Sequence, residues 1–293
     1  MNLNNLKLGF DKVYVISLPK RLDRRDRVKR IFNGIDFEFV DGIDGYQDID
    51  VSELIKNKEL STEFKDPVGL ITKGIVGCAL SHKKAWKKFI DSKEDTAIFF
   101  EDDLMMTKDI FRQPPGQEVT KYSEYTQYYT DLLNEIDMLK DWDVIFMGKK
   151  MLSYPGDMVT KHIVRPVFGQ AGWGAHSYIL NKNSVKKLLK EYTPIQYAAD
   201  VFLETKIFDG SCYGVSPFLF RQEYDLLMYG KYEVNDTEID SDTFNNQLGS
   251  GKRPAQTTTY ASFGGYVENF VESCQFTNFD GSPFLTLKLK EDK

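Results

Sequence analysis

The chain has 293 residues, 41% hydrophobic and 28% charged, the composition of an ordinary folded protein with room for one large α/β domain or two modest ones. A net charge of −6 excludes a protein built to coat nucleic acid, and no run approaches the roughly 20 apolar residues that a membrane-spanning helix needs. Cys78, Cys212 and Cys274 lie far apart without paired zinc-site spacings, and residues 1–7 have neither the basic region nor the apolar core of a secretory signal, so reduced thiols and a cytoplasmic location are expected.

Val13-Tyr14-Val15-Ile16-Ser17-Leu18 is a continuous apolar, β-branched run, suited to a strand buried on both faces of a sheet. Pro19 ends it, and Asp23 is placed to cap a helix reaching about Asn33, with Val28, Ile31 and Phe32 as its apolar stripe. Positive charge is concentrated here, in Lys20-Arg21 and from Arg24-Arg25 to Arg30. Phe37 to Val40 reads as a second strand, closed by the turn-rich Asp41-Gly42-Ile43-Asp44-Gly45.

After a polar stretch come Gly74-Ile75-Val76-Gly77 and a helix from about Cys78 to Asp91, whose Ala85, Trp86, Phe89 and Ile90 recur at helical spacing. Ala97-Ile98-Phe99-Phe100 is a buried strand running directly into Glu101-Asp102-Asp103. A helix from Tyr129 to Leu139, a strand over Trp142 to Gly148, a strand over Ala175 to Leu180 and a helix over Asn183 to Tyr192 follow, and another helix opens near Ala198-Ala199-Asp200. Residues 1–222 are expected to form the main domain and 223–293, rich in Thr, Asn, Gly, Tyr and Phe, an irregular extension packed on it. Alternating buried strands and helices predict an α/β fold with a central, mostly parallel sheet flanked by helices, which binds ligands beyond the carboxyl ends of its strands.

Two polar clusters stand at such ends: the arginines after Leu18 and the acidic triplet after Phe100. Adjacent carboxylates repel one another and resist burial, and a divalent cation removes both penalties. In extended backbone Glu101 and Asp103 share a side while Asp102 takes the other. Two oxygen ligands completed by water and phosphate suit Mn²⁺ or Mg²⁺, whereas an exposed acidic turn capping a helix is the plain alternative. Transfer of a sugar from a nucleoside diphosphate needs the departing diphosphate stabilised by metal and preorganised cations, work within reach of Arg21, Arg24, Arg25 and Arg27. The alternative for these arginines is a solvated helix face paired with Asp23 and Asp26. An acceptor hydroxyl needs a general base, for which Asp200 is the candidate, with an N-cap role as its alternative. His82 is expected to make a buried structural hydrogen bond.

Together these segments resemble glycosyltransferase family 25, which includes bacterial lipooligosaccharide galactosyltransferases and procollagen galactosyltransferases. The resemblance runs over about residues 13 to 225. It is carried by Val13 to Arg27, by Gly74-Ile75-Val76-Gly77-Cys78-Ala79-Leu80-Ser81-His82 with Trp86 following, by Ala97 to Asp103, and by Trp142 to Lys149. Ser17 and Lys149 depart from the Asn and Arg that are usual there. The resemblance implies a GT-A fold, a UDP-sugar donor and inversion at the anomeric carbon. It carries the family's metal-binding carboxylates onto Glu101, Asp102 and Asp103 and matches Asp200 to the family's acidic residue; Glu101 and Asp103 are expected to hold the metal, and Ser17, Leu18, Arg21, Arg24 and Asp102 to border the donor. Galactose is the first donor expected and glucose the second, with a glycan, glycolipid or hydroxylysine-type protein as acceptor. A non-catalytic binder on the same fold, or a metal-dependent phosphohydrolase using Glu101 and Asp103, are the competing readings.

Overall fold

The structure, a computed structural model, describes residues 10–32, 34–65, 73–105, 122–148, 156–166, 174–216, 220–222, 275–277 and 283–286. Its centre is an eight-stranded sheet. In chain order the strands are β1 (Lys12–Ser17), β2 (Glu38–Asp41), β4 (Thr96–Glu101), β6 (Val144–Phe146), β7 (Gly156–Met158), β8 (Ile163–Pro166), β9 (Ser177–Asn181) and β11 (Cys212–Val215). Across the sheet the order is β2-β1-β4-β9-β6-β11-β8-β7. Pairings of β1 with β2 and β4, and of β6 with β11, are parallel, while β9 pairs antiparallel with both β4 and β6 and β8 does so with both β11 and β7. Six strands therefore point one way and β8 and β9 the other, as the α/β expectation required in class and main direction.

Alternation along the strands explains their uninterrupted apolar runs. Tyr14, Phe99, Phe146 and Tyr178 face one layer, and Val13, Val15, Ile98, Phe100 and Ile145 face the other. The first layer is filled from α3 (Lys73–Ile90), α5 (Lys182–Glu191) and α6 (Ala199–Glu204); the second from α1 (Leu22–Ile31) and α4 (Tyr122–Met138). Burial on two faces removes the polar alternation that a one-sided sheet would show. Tyr14, Phe99 and Tyr178 stack side by side across β1, β4 and β9, with centroids 5.5 and 5.3 Å apart.

Several boundaries differ from expectation for identifiable reasons. Asp23 lies inside α1, whose N-cap is Arg21, and is occupied by the Arg21 guanidinium. Gly74 to Gly77 belong to α3, which is a turn longer than the apolar spacing suggests. A glycine costs a helix about 1 kcal/mol, and here the missing side chain admits another backbone. A Cβ on Gly77 would stand 2.6 Å from the Gly45 nitrogen and 2.7 Å from the Ile43 oxygen. Ser81 locks the same loop, accepting the Ile43 N–H at 2.8 Å and donating to the Gly77 carbonyl at 2.6 Å.

The polar stretch after Gly45 contains α2 (Val51–Lys56), capped by Asp50, and β3 (Leu60–Lys65), which pairs with β10 (Ile195–Tyr197). Two further short pairs join β5 (Leu104–Met105) with β12 (Arg221–Gln222), and β13 (Gln275–Thr277) with β14 (Pro283–Thr286). Lys149, the Gly172-Trp173 pair, Cys274 and most of the 223–293 extension lie outside the described residues. Among the described residues no helix is long and apolar enough to cross a membrane.

Candidate active site

The carboxyl ends of β1, β2 and β4 meet at one edge of the sheet, since Ile16 is in register with Glu101 and Ser17 with Asp41. Strand alternation then separates the first two acidic residues. Phe99 faces the α3 layer and Phe100 the α1 layer, so Glu101 turns towards α3 and Asp102 towards α1.

On the α1 side, Arg24 donates to an Asp102 carboxylate oxygen at 2.8 Å, both side chains being more than nine-tenths buried. Arg27 donates to the Asp102 carbonyl at 2.7 Å. The remaining arginines are also engaged. Arg21 forks onto Asp23 at 2.8 and 3.1 Å and holds that carboxyl down to about 2, while Arg25 reaches Asp41 at 2.5 Å and the Ser17 carbonyl at 2.9 Å. Ser17 ends β1 and its carbonyl also accepts from Gly42, and the Leu18 carbonyl accepts the Arg21 N–H. Lys20 bonds Asp44 at 2.5 Å, tying the loop after β1 to the loop after β2. Asp26 is held by Lys29.

On the α3 side four side chains form a line, the first three buried and the fourth, Glu101, partly so. Trp86 donates its indole N–H to the Tyr178 hydroxyl at 2.9 Å; that hydroxyl lies 2.7 Å from His82 Nδ1, and His82 Nε2 lies 3.0 Å from Glu101 Oε1. Burial pushes the Tyr178 phenol well up, the Trp86 bond opposes this, and the Glu101 charge and then interaction with Cys78 add to the rise, so the phenol keeps its proton. An indole only donates and a carboxylate only accepts. The one direction giving every proton an acceptor runs Trp86 to Tyr178 to His82 Nδ1, with the proton on His82 Nε2 donated to Glu101. His82 thus makes the buried hydrogen bond expected of it, and its partner is the first residue of the acidic triplet.

Asp103 follows in the turn and is 7% exposed. Among the described residues, Cys78, His82 and Glu101 form a set of three potential ligand atoms within 4.8 Å of one another. Cysteine-pair spacing does not reveal this set; its signal in the sequence is Cys78 and His82 four apart on one helix face. The signal for Tyr178 is a phenol within a two-sided apolar strand, which must find a partner.

Asp200 is the second residue of α6, whose N-cap is Ala198, so the capping alternative falls away. Its Oδ1 accepts the Val201 N–H at 2.9 Å. The helix packs through Phe202 on Tyr192 and Trp86, with centroids 4.3 and 6.2 Å apart. Burial raises the Tyr192 phenol, and interaction with Cys78 and then with Asp200 raises it further. Asp143, by contrast, has no part in this edge: it binds Lys187 at 2.6 Å and Ser211 at 2.9 Å, fixing α5 against the start of β11.

A sequence model of glycosyltransferase family 25, described as an LPS biosynthesis protein family, matches residues 10–203. Human procollagen galactosyltransferase 2 is 25% identical over 209 residues, covering 65% of this chain and 31% of that protein. Procollagen galactosyltransferase 1-A of Xenopus laevis is 29% identical over 210 residues, covering 65% and 32%. The human protein named inactive glycosyltransferase 25 family member 3 is 27% identical over 190 residues, covering 62% and 29%. The chain spans about a third of the length of these relatives. The matched segment carries β1 to β4, α3, the acidic triplet and Asp200 together: the chain belongs to glycosyltransferase family 25.

Proposed function

We propose that this chain transfers a hexose, galactose before glucose, from a UDP-sugar to a hydroxyl of a glycan, glycolipid or glycoprotein, with inversion. The observation that carries the reading is the shared edge. The ends of β1 and β4 bring the α1 arginines and the acidic triplet together where an α/β sheet binds its ligands. Family membership and the names of the procollagen galactosyltransferases support the choice of chemistry and of galactose.

The acidic triplet fits a divalent cation by its donor chemistry. All its side-chain donors are carboxylate oxygens, two of the three residues are buried, and Arg24 pairs with the Asp102 carboxylate. Glu101 and Asp103 would hold Mn²⁺ or Mg²⁺, which supplies positive charge against the leaving diphosphate. Ser17 and Leu18 border the donor at the end of β1, and Arg21 and Arg24 add cationic charge on the α1 side. Asp102 is the residue through which Arg24 is oriented. Asp200 takes the acceptor proton as the hydroxyl oxygen bonds to the anomeric carbon, and the bond from that carbon to the diphosphate breaks with its electron pair leaving on UDP.

The test is UDP release from UDP-galactose, UDP-glucose and UDP-N-acetylglucosamine, with Mn²⁺ and with chelator, for wild type and Asp103→Ala. Mn²⁺-dependent release from one donor, lost in the variant, is expected. A second reading, UDP binding without turnover, is favoured by the likeness to a relative named inactive. Binding of UDP with Mn²⁺ and no release with any donor or acceptor would select it, and no binding would sink both.

A further inference from the structure

We propose that Cys78, His82 and Glu101 form a binding site for a thiophilic divalent ion, Zn²⁺ in class, which differs in donor chemistry from the oxygen-only pair Glu101 and Asp103 and shares Glu101 with it. Cys78 and His82 are four residues apart on α3, so one helix face presents both, and Glu101 projects from the end of β4 to meet them. One donor atom from each lies within 4.8 Å of the other two.

The separation of nitrogen and oxygen suits a small tetrahedral ion, and the sulfur lies within 4.8 Å of both. Zinc bonds of about 2.0 Å to imidazole nitrogen and carboxylate oxygen place those two atoms about 3.3 Å apart. The observed His82 Nε2 to Glu101 Oε1 separation is 3.0 Å, so that pair has little to move. Sulfur and imidazole nitrogen select Zn²⁺ over Mg²⁺ or Mn²⁺, which prefer oxygen.

The surroundings favour the ion as well. His82 is fully buried, and a metal-bound imidazole needs its other nitrogen oriented by a second group, a place the Tyr178 hydroxyl fills at 2.7 Å. On binding, the ion takes the place of the Nε2 proton. The ring carries its proton on Nδ1 instead and donates it to the Tyr178 oxygen, which also accepts from Trp86, so the Tyr178 hydroxyl proton gives up its bond to His82 and metal binding has to offset that loss. The Cys78 thiol releases one proton to solvent. A dipositive ion with one thiolate and one carboxylate is electrically neutral, which suits a pocket whose histidine has no solvent exposure. Three protein ligands leave a fourth position for water or a substrate oxygen.

Co²⁺ in place of Zn²⁺ gives a direct readout, because a cobalt–thiolate bond has a charge-transfer band in the near ultraviolet. Titrating the full chain with Co²⁺ should produce this band, saturating at one equivalent and bleached by Zn²⁺. Cys78→Ser should abolish it and Cys274→Ser should retain it. Glu101→Gln should keep the band but raise the Co²⁺ concentration needed by about tenfold or more. A wild-type measurement guards against misfolding of the variants: Zn²⁺ should slow alkylation of Cys78 by about tenfold or more, since the metal-bound thiolate is withheld from the reagent. No band in the wild type, a band that survives in folded Cys78→Ser, or alkylation indifferent to Zn²⁺ would each overturn the proposal. None of these readouts depends on sugar transfer.

Discussion

His82 in α3 and Glu101 at the end of β4 are joined by a 3.0 Å hydrogen bond, and on its far side the His82 ring meets a tyrosine that is itself fixed by a tryptophan. The first residue of the acidic triplet is therefore aimed from within the core and not by the turn that follows it. Rigid elements hold a site more closely than loops do, and each member of this line is locked by packing.

Removing the imidazole should loosen Glu101. His82→Ala is expected to raise the Mn²⁺ concentration for half-maximal transfer by about 10- to 100-fold, the usual effect of losing a group behind a metal ligand. His82→Gln, whose amide can still donate, should recover part of the loss. A Mn²⁺ titration at saturating donor checks this, and an unchanged midpoint would show that Glu101 needs no such support.

Tyr178→Phe deletes the hydroxyl that accepts from Trp86 and donates to His82, leaving a buried indole N–H without its acceptor. The expected loss is about 1–3 kcal/mol of stability, read from the urea midpoint. Trp86→Phe should cost part of the same free energy, so the double variant should lose less than the sum.

The Arg24–Asp102 pair should show the asymmetry of buried ions. Arg24→Met leaves a buried carboxylate uncompensated and is expected to destabilise by about 3–5 kcal/mol, whereas Arg24→Met with Asp102→Asn should recover most of it. Equal losses in the single and double variants would mean that the pair is solvated.

Gly77→Ala should be among the most damaging changes in α3, despite alanine's better helix propensity. Its Cβ would fall 2.6 and 2.7 Å from backbone atoms of the Gly45 and Ile43 loop, and backbone has no rotamer by which to move aside. A loss of about 2 kcal/mol or more is expected, in the range of overpacked cores, with Ser81→Ala showing a smaller loss in the same thermal or urea melts.

Acid should weaken the fold through the α1 edge. Arg21 holds Asp23 down to about 2 and Arg25 lowers Asp41, both from an ordinary 3.8. Depressed carboxylates bind fewer protons folded than unfolded, so their contribution is complete above about 3.8 and fades as pH falls towards 2. Melting temperature should drop through that window, and Arg21→Ala should flatten the drop. Both pairs are partly exposed, so added salt should also shrink it.

Much of this protein was legible in the sequence because the relevant physics is local. Four or more consecutive apolar, β-branched or aromatic residues before a polar cluster identify β1 and β4 as two-sided buried strands, and that fixes which polar residues stand at a strand end. The strand's period of two also foretold that Asp102 would face away from Glu101. Tertiary structure decided which side chains meet those residues. Nothing in the one-dimensional pattern reveals that α1 packs on one face and α3 on the other, so Arg24 pairs with Asp102, 78 positions away, and His82 with Glu101. Gly77 reads as a helix breaker until the Ile43–Gly45 loop is seen against it. Local spacing sets the period and end of each element, whereas partners between elements depend on layer and register, which only the folded chain supplies.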